Sequence, residues 1–171
     1  LIYPSTGAVR IPETSPYAHS KAMAELLVQQ AMKYIPVTIL RFFNVYGKDV
    51  NENSGSIIYQ FFKGAKKGKI EVYGQGKSKR DFINVTDIVQ IIKASLNKKW
   101  IGGIVEIGSG QLTSIKELAQ LFQWETGAKI EYKKDKKEID WIQPDLANLK
   151  RLYSKKLKTN LEKDIREMVD D

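Results

Sequence analysis

The chain has 171 residues, 42% of them hydrophobic, and a formal net charge of +8, so it can form one domain with a real core or two small lobes. It has no cysteine, which excludes a disulfide framework and cysteine metal sites, and no apolar run reaches the roughly 20 residues of a membrane span. No secretory signal opens the chain, and a soluble, cytoplasmic protein is expected. The single histidine, His19, is expected to be a solvated helix residue, which disfavours a histidine metal site and a Ser-His-Asp triad.

Lysine-rich patches account for much of the positive charge, and such a balance suits a polyanion or a phosphate-bearing ligand. Ordinary solvated surface is the simpler explanation for the patches as a group. A nucleic-acid-binding domain is disfavoured, because the aromatic residues follow apolar core patterns and are not interleaved with the lysines.

The hydrophobic pattern predicts strands alternating with helices, typical of the α/β class. The predicted strands are 1–3, 37–43, 70–73, 82–85, 104–107 and 130–132. The predicted helices are 16–33, 56–67, one from Thr86 or Asp87 to residue 97, 114–127, 145–154, and a last one capped by Thr159 with Glu162. The pattern predicts turns or loops at 4–7, 49–55, 74–81, 108–110 and 133–138.

The segment 37–43 is almost continuously apolar and β-branched, which predicts a parallel strand buried on both faces. Asn44 follows it directly. Open parallel sheets bind ligands beyond the carboxyl ends of their strands, so Asn44 is a candidate ligand contact, with an ordinary turn asparagine as the alternative.

Tyr17 and Lys21 stand four residues apart at the start of the helix predicted for 16–33. Ser15 is a suitable N-cap and Pro16 suits the first helical position. Residues four apart share a helix face, and a cation beside a phenol favours the phenolate. The pair is therefore a candidate acid/base, with an ordinary solvated pair as the alternative.

Five stretches of the sequence are informative because they occur together and in a fixed order. They are 5–9, Tyr17-x-x-x-Lys21, 40–47, 72–76 leading to 80–85 and Asp87, and 107–110. Together they resemble the NAD-dependent epimerase/dehydratase family, the extended short-chain dehydrogenase/reductases that act on nucleotide-sugars. The resemblance covers nearly the whole chain.

The resemblance implies a catalytic group. Tyr17 matches the acid/base, Lys21 the lysine that favours its ionisation and binds the nicotinamide ribose, and Thr6 the residue that hydrogen-bonds the reacting sugar hydroxyl. Phe42 would lie near the nicotinamide. The implied cofactor is NAD, and NADP stays an alternative.

The resemblance also implies a nucleotide-sugar site. Asn44 and Arg80 would hold the diphosphate, and the strand with Val72 and Tyr73 would lie near the base. An arginine in a glycine-bearing loop suits a diphosphate on chemical grounds as well.

The implied architecture is the carboxyl-terminal part of a Rossmann-like parallel sheet with a small α/β substrate-binding lobe. Residues 1–47 would belong to the NAD-binding domain, with 81–108 packed back on it. Residues 48–80 and 109–171 would form the lobe.

The family's glycine-rich NAD motif is missing from this sequence, because Gly74-x-Gly76 and Gly108-x-Gly110 lack a third glycine. We therefore expect a longer enzyme whose amino-terminal Rossmann half is the missing partner. The resemblance further implies a homodimer that pairs through the helix predicted for 16–33.

The reaction favoured on the resemblance is 4-epimerisation of a UDP-sugar. Dehydration usually needs an acidic pair beside the catalytic threonine, where this chain has Gly7 and Ala8. A dehydrogenase or reductase of the same family is one alternative. An inactive remnant that only binds nucleotide-sugar is the other.

Overall fold

A parallel sheet forms the first part of the fold in the computed structural model, which describes residues 1–48, 55–97, 102–134 and 143–170. Its strands are β1 (Ile2–Thr6), β2 (Thr38–Phe42) and β7 (Gly103–Ile107), in the order β1-β2-β7. The register pairs Thr6 with Phe42 and Phe42 with Ile107, so the carboxyl ends of the strands meet at one edge. The predicted α/β class and parallel sheet are confirmed.

The central position of β2 follows from its sequence. Residues 37–40 are all buried, as expected for a strand covered on both faces. The segment 4–6, predicted as a turn, instead continues β1. A 3-10 helix at Gly7–Arg10 then begins with the backbone N–H of Ala8 donating to Thr6 Oγ1 at 3.3 Å.

Three helices flank the sheet: α1 (Pro16–Ala31), α3 (Val85–Asn97) and α5 (Ala147–Leu152). Helix α1 begins as predicted, because Ser15 Oγ accepts a hydrogen bond from the Ala18 N–H at 3.1 Å. One apolar cluster joins β2 and β7 to α3 and α5; its buried members are Leu40, Ile83, Ile88, Ile91, Val105, Ile107, Leu149 and Leu152.

A second core lies among α2 (Ile57–Lys66), β4 (Lys69–Tyr73), α4 (Ile115–Thr126), β9 (Lys129–Lys133) and α6 (Leu161–Asp170), with β4 parallel to β9. Helix α4 opens on the predicted capping box of Ser114 and Glu117 and ends at Gly127, whose φ is +72°. The division of the chain into a Rossmann part and a lobe remains a prediction. The two separate apolar clusters support it, although α5 lies with the sheet cluster.

Two short strand pairs join these parts. Strand β3 (Val45–Tyr46) runs parallel to β6 (Ile83–Asn84), and β5 (Lys79–Asp81) runs antiparallel to β8 (Leu112–Ser114). The prediction of a loop over 74–81 is therefore wrong for its last residues. The loops predicted for 49–55 and 133–138 lie mostly outside the described residues.

Two residues predicted as helix caps, Asp87 and Thr159, make a long-range contact with each other instead. Asp87 is buried in the first turn of α3 and accepts hydrogen bonds from the backbone N–H groups of Lys158 and Thr159. Asn84 caps α3 in its place by accepting from the Thr86 N–H, and Asn160 caps α6 by accepting from the Lys163 N–H.

The large apolar residues that recur at helical spacing along α1 face solvent. Met23, Leu26 and Leu27 are 58%, 63% and 74% exposed, whereas Ala18 and Glu25 are buried. His19 is exposed, as predicted. None of the helices in the described residues combines the length and the apolar character needed to cross a membrane.

Candidate active site

A small cavity of about 210 Å³ opens at the carboxyl edge of the parallel sheet. Thr6 ends β1 and Phe42 ends β2, and the register places these two residues side by side. Both line the cavity together with Asn44 and Arg80. The structure thus brings together four of the predicted site residues from three separate stretches of the chain.

A larger cavity of about 410 Å³ adjoins the first one, because Asn44 and Arg80 line both. Its other polar lining includes Glu71 and Tyr73 from β4. Apolar side chains form most of the remaining wall: Val45, Ile57, Phe61, Phe82 and Ile115. A flat ligand part would find apolar contacts here, and an anionic part would find Arg80 at the junction of the cavities.

The junction is held by a polar tether that the sequence did not reveal. Asn44 Nδ2 donates to the backbone carbonyl of Asp81 at 2.9 Å. The buried Asp81 carboxylate in turn accepts from the backbone N–H groups of Ser109 (2.6 Å) and Gly110 (2.8 Å) and from Ser109 Oγ at 2.9 Å. Asp81 therefore fixes β5, and with it Arg80, against the turn that follows β7.

Burial raises the pKa of the Asp81 carboxyl above its usual range, while the hydrogen bonds from Ser109 and Gly110 lower it. In the sequence, the contact between Asp81 and Ser109 corresponds only to an acidic residue directly after Arg80 and to a Gly-Ser-Gly turn at 108–110. Nothing in either segment alone indicates that the two meet.

Arg80 is itself oriented by its neighbours. Its guanidinium donates to Ser78 Oγ and, at 2.8 Å, to the backbone carbonyl of Lys79. Since the strand β5 is paired with β8, Arg80 extends from a paired strand and not from the loop that the sequence pattern predicted.

Tyr17 and Lys21 lie on α1, whose N-cap Ser15 lines the small cavity. Tyr17 is 58% exposed. Lys21 Nζ donates to the backbone carbonyl of Pro4 at 3.0 Å and lies 5.2 Å from the centre of the Tyr3 ring. The first turns of α1 are thereby held against β1, beside the edge where Thr6 stands. Neither Tyr17 nor Lys21 lines either cavity.

The predicted contact through Val72 needs correction for its side chain. Strand β4 alternates, so Ile70 and Val72 point into the apolar core and are fully buried, whereas Glu71 and Tyr73 face the larger cavity. Val72 as a whole residue is buried and lines neither cavity.

Sequence reasoning also missed residues that complete the small cavity. Ala8 and Thr14 line it from the 3-10 helices Gly7–Arg10 and Pro12–Thr14, and Ile11 lines it from between these helices. Their segment follows no helical or strand period, so the hydrophobic pattern did not indicate that they line a cavity.

Comparison with known proteins places this geometry in a family. The profile of the "NAD dependent epimerase/dehydratase family" matches residues 3–108. A UDP-N-acetyl-alpha-D-glucosaminuronate decarboxylase from Bacillus cytotoxicus is 38% identical over 107 residues, which are 61% of this chain and 33% of that protein. A dTDP-D-glucose 4,6-dehydratase from Mus musculus is 32% identical over 143 residues, which are 77% of this chain and 40% of that protein.

Among solved structures, the UDP-glucose 4-epimerase of Thermotoga maritima, crystallised with UDP-glucose, superposes with a TM-score of 0.85 at 26% identity. The superposition covers 99% of this chain and 62% of that one. The matched residues thus cover less than half of each curated relative, and this chain covers under two thirds of the solved chain. With more than half of its residues matched by the family profile, the chain belongs to the NAD-dependent epimerase/dehydratase family, a family of enzymes that act with NAD.

Proposed function

We propose that the protein is a UDP-sugar 4-epimerase to which this chain contributes the acid/base and most of the substrate site. The observation that carries the proposal is the pair of adjoining cavities that share Asn44 and Arg80. A nucleotide-sugar has three parts in line: a base with its ribose, a diphosphate and a sugar. The larger cavity suits the nucleoside, the shared junction the diphosphate, and the small cavity beside Thr6 the sugar.

The roles of the binding residues follow from their chemistry. Arg80 offers a planar set of donors that fits phosphate oxygens, and Asn44 Nδ2 is anchored beside it. Tyr73 faces the larger cavity from a paired strand and is placed for the base. Thr6 Oγ1 accepts from the Ala8 N–H and keeps its own hydrogen for a sugar hydroxyl.

The proton transfer is assigned to Tyr17. Its exposed phenol stands near the start of α1, two residues from Ser15 in the wall of the small cavity. In the proposed reaction, Tyr17 takes the proton of the sugar's 4-hydroxyl and later returns it, and Thr6 orients that hydroxyl. Arg80 and Asn44 keep the diphosphate in place, so that the sugar can present its other face.

The residues present fit NAD. The Lys21 ammonium has three donors, of which one goes to the Pro4 carbonyl, and the others can serve ribose hydroxyls on the exposed side of α1. Phe42 ends β2 in the wall of the small cavity and would lie near the nicotinamide. When bound, NAD supplies the acceptor and donor of the hydride at the sugar carbon.

Packing beside Thr6 supports epimerisation over dehydration. A Cβ at position 7 would lie 2.6 Å from the end of the buried Phe43 ring, closer than any carbon contact allows. The space next to Thr6 in which an acidic side chain would begin is therefore filled. Without an acid there, loss of a sugar hydroxyl has no proton donor at this position.

The test uses protein expressed from the whole natural reading frame. It is incubated with NAD and, in turn, UDP-glucose, UDP-N-acetylglucosamine and UDP-glucuronate, and the products are identified by NMR. The proposal expects a 4-epimer from at least one of them. A decarboxylated or dehydrated sugar, or net reduction of NAD, would replace the proposal by another reaction of the family. Tight UDP binding without turnover would indicate an inactive binding protein.

A further inference from the structure

A buried network of charges lies beneath the candidate site and takes no part in the proposed chemistry. Arg41 on β2 donates to Glu25 on α1 through Nε (3.0 Å) and Nη2 (2.7 Å), which is a two-point contact. Its Nη1 donates to Glu106 on β7 at 3.3 Å. The side chains of Glu25, Glu106 and Arg41 are 3%, 10% and 18% exposed.

The network extends to the two segments next to Thr6. Ser5 Oγ, from the residue before Thr6, donates to Glu25 Oε1 at 2.5 Å. Arg10, at the end of the 3-10 helix that Thr6 caps, donates to Glu106 Oε2 at 3.2 Å. Two acidic and two basic groups thus meet, and the hydrogen bond with Glu25 raises the pKa of Arg41 further above its usual value, which keeps the guanidinium ionised.

Three members of this network lie next to residues of the proposed site. Ser5 precedes Thr6, Arg41 precedes Phe42, and Glu25 follows Lys21 by four residues, one helical turn. In a strand, neighbouring side chains point to opposite faces, so the charges hold each strand from one side while its site residue stands at the strand end.

The stability of the fold alone does not explain why these positions carry buried charges. Burying ions costs desolvation free energy, and an apolar set of similar volume often stabilises a fold as well or better. Apolar side chains do not fix the orientation of one element on another. The planar guanidinium does, because it donates two parallel hydrogen bonds to its carboxylate.

We propose that Glu25 and Arg41 are positioning residues, which set the register of α1 on the sheet and thereby place Tyr17 and Lys21 relative to Thr6 and Phe42. The inference rests on the proposed function. It concerns the rate of the proton transfer and not the binding of the nucleotide, since neither Glu25 nor Arg41 lines either cavity.

Three variants of the whole protein test the inference. Arg41→Lys keeps the charge but loses the fork, and Glu25→Gln keeps the shape but loses the charge. The triple variant Ser5→Ala/Glu25→Leu/Arg41→Met replaces the network by apolar groups and leaves Glu106 paired with Arg10. Arg166→Lys is the control, because Arg166 also binds a carboxylate, that of Glu125 at 3.2 Å, but from the half-exposed surface of α6.

The rate of UDP-sugar turnover is divided by the number of UDP-binding sites, which titration calorimetry measures. Unfolded protein binds no UDP and is therefore not counted in this rate. A displacement of about 1 Å can cost about 100-fold in rate, so we expect kcat to fall by about 10- to 100-fold in all three variants, with KM and the Kd for UDP within about twofold of the parent. Arg166→Lys should match the parent in each quantity.

A triple variant that melts at or above the temperature of the parent and keeps the parent's kcat would overturn the inference and leave the proposed function intact. If the triple variant does not fold, unchanged kcat in both Arg41→Lys and Glu25→Gln overturns it equally. A parent protein that binds UDP but turns over no UDP-sugar would overturn the proposed function, and this inference with it.

Discussion

Gly7 lies directly against the ring of Phe43: a Cβ added to Gly7 would stand 2.6 Å from Cζ and 2.7 Å from both Cε atoms. Phe43 is 6% exposed and follows β2, while Gly7 follows β1, so this contact joins the carboxyl ends of the two strands beside the small cavity. The absence of a side chain at position 7 is therefore part of how the cavity is built.

Gly7→Ala is expected to destabilise the fold by about 1–3 kcal/mol, because the added methyl group overpacks a buried ring. Urea unfolding followed by circular dichroism measures the free energy of unfolding. The double variant Gly7→Ala/Phe43→Leu should regain part of the loss, since leucine is shorter along that direction. Equal stability of Gly7→Ala and parent would show that the ring moves away without cost.

Arg80→Ala should weaken UDP binding by about 10- to 100-fold, because charge-assisted hydrogen bonds to a phosphate are worth about 1.5–3 kcal/mol. Uridine, which has no phosphate, should bind parent and variant alike in titration calorimetry. Lys79→Ala serves as the control, since the exposed Lys79 is the neighbour of Arg80 and lines neither cavity. An equal loss of uridine and UDP binding would place Arg80 at the nucleoside instead.

Tyr46 should make stability depend on alkaline pH. Its hydroxyl donates to Asp164 at 2.5 Å, and burial with this carboxylate raises the pKa of Tyr46 well above its ordinary value of 10.0. The unfolded chain then loses this proton near pH 10 while the folded chain keeps it. The contribution of Tyr46 is therefore complete below about pH 10 and declines above it, by about 1.4 kcal/mol per pH unit.

Tyr46→Phe isolates this effect. The variant should be about 1–3 kcal/mol less stable than the parent at pH 8, since the bond to a carboxylate is lost. The difference should shrink as the pH rises from 10 to 11, because phenylalanine has no proton to lose. Urea unfolding at each pH gives both free energies, and a difference that stays constant above pH 10 would contradict the raised pKa.

Tyr17→Phe should lower UDP-sugar turnover by at least about 100-fold, the usual contribution of a positioned acid/base. Because Tyr17 is 58% exposed, loss of its hydroxyl should leave thermal stability and UDP affinity unchanged. The exposed Tyr34→Phe, at 85% exposure just beyond α1, is the matched control and should retain full activity. Loss of folding in Tyr17→Phe would assign the residue a structural role.

Local patterns were enough to predict the elements with strong periodicity. The cap at Ser15, the buried strand after Pro36 and the capping box of Ser114 with Glu117 are all present as predicted. Each of these depends on residues within one or two turns of the chain, which is the range over which sequence spacing fixes geometry.

Contacts between distant segments were not predictable in this way. Asp87 looks like a helix cap, but its carboxylate binds the backbone of Lys158 and Thr159, 71 and 72 residues away. Strand β5 is short and polar, so only its pairing with β8 makes it a strand. Met23, Leu26 and Leu27 recur at helical spacing and so indicate an apolar helix face. The spacing does not show whether that face is buried, and in the structure it is exposed.

In the proposed reaction, the site oxidises the sugar transiently at C4. The most direct test is to incubate the whole protein and NAD with UDP-sugar deuterated at C4 and to follow the product by NMR. We expect the 4-epimer with deuterium retained at C4, formed at least about 100-fold more slowly by Tyr17→Phe. A product with unchanged configuration at C4, or an epimer that has exchanged its C4 deuterium with solvent, would contradict it.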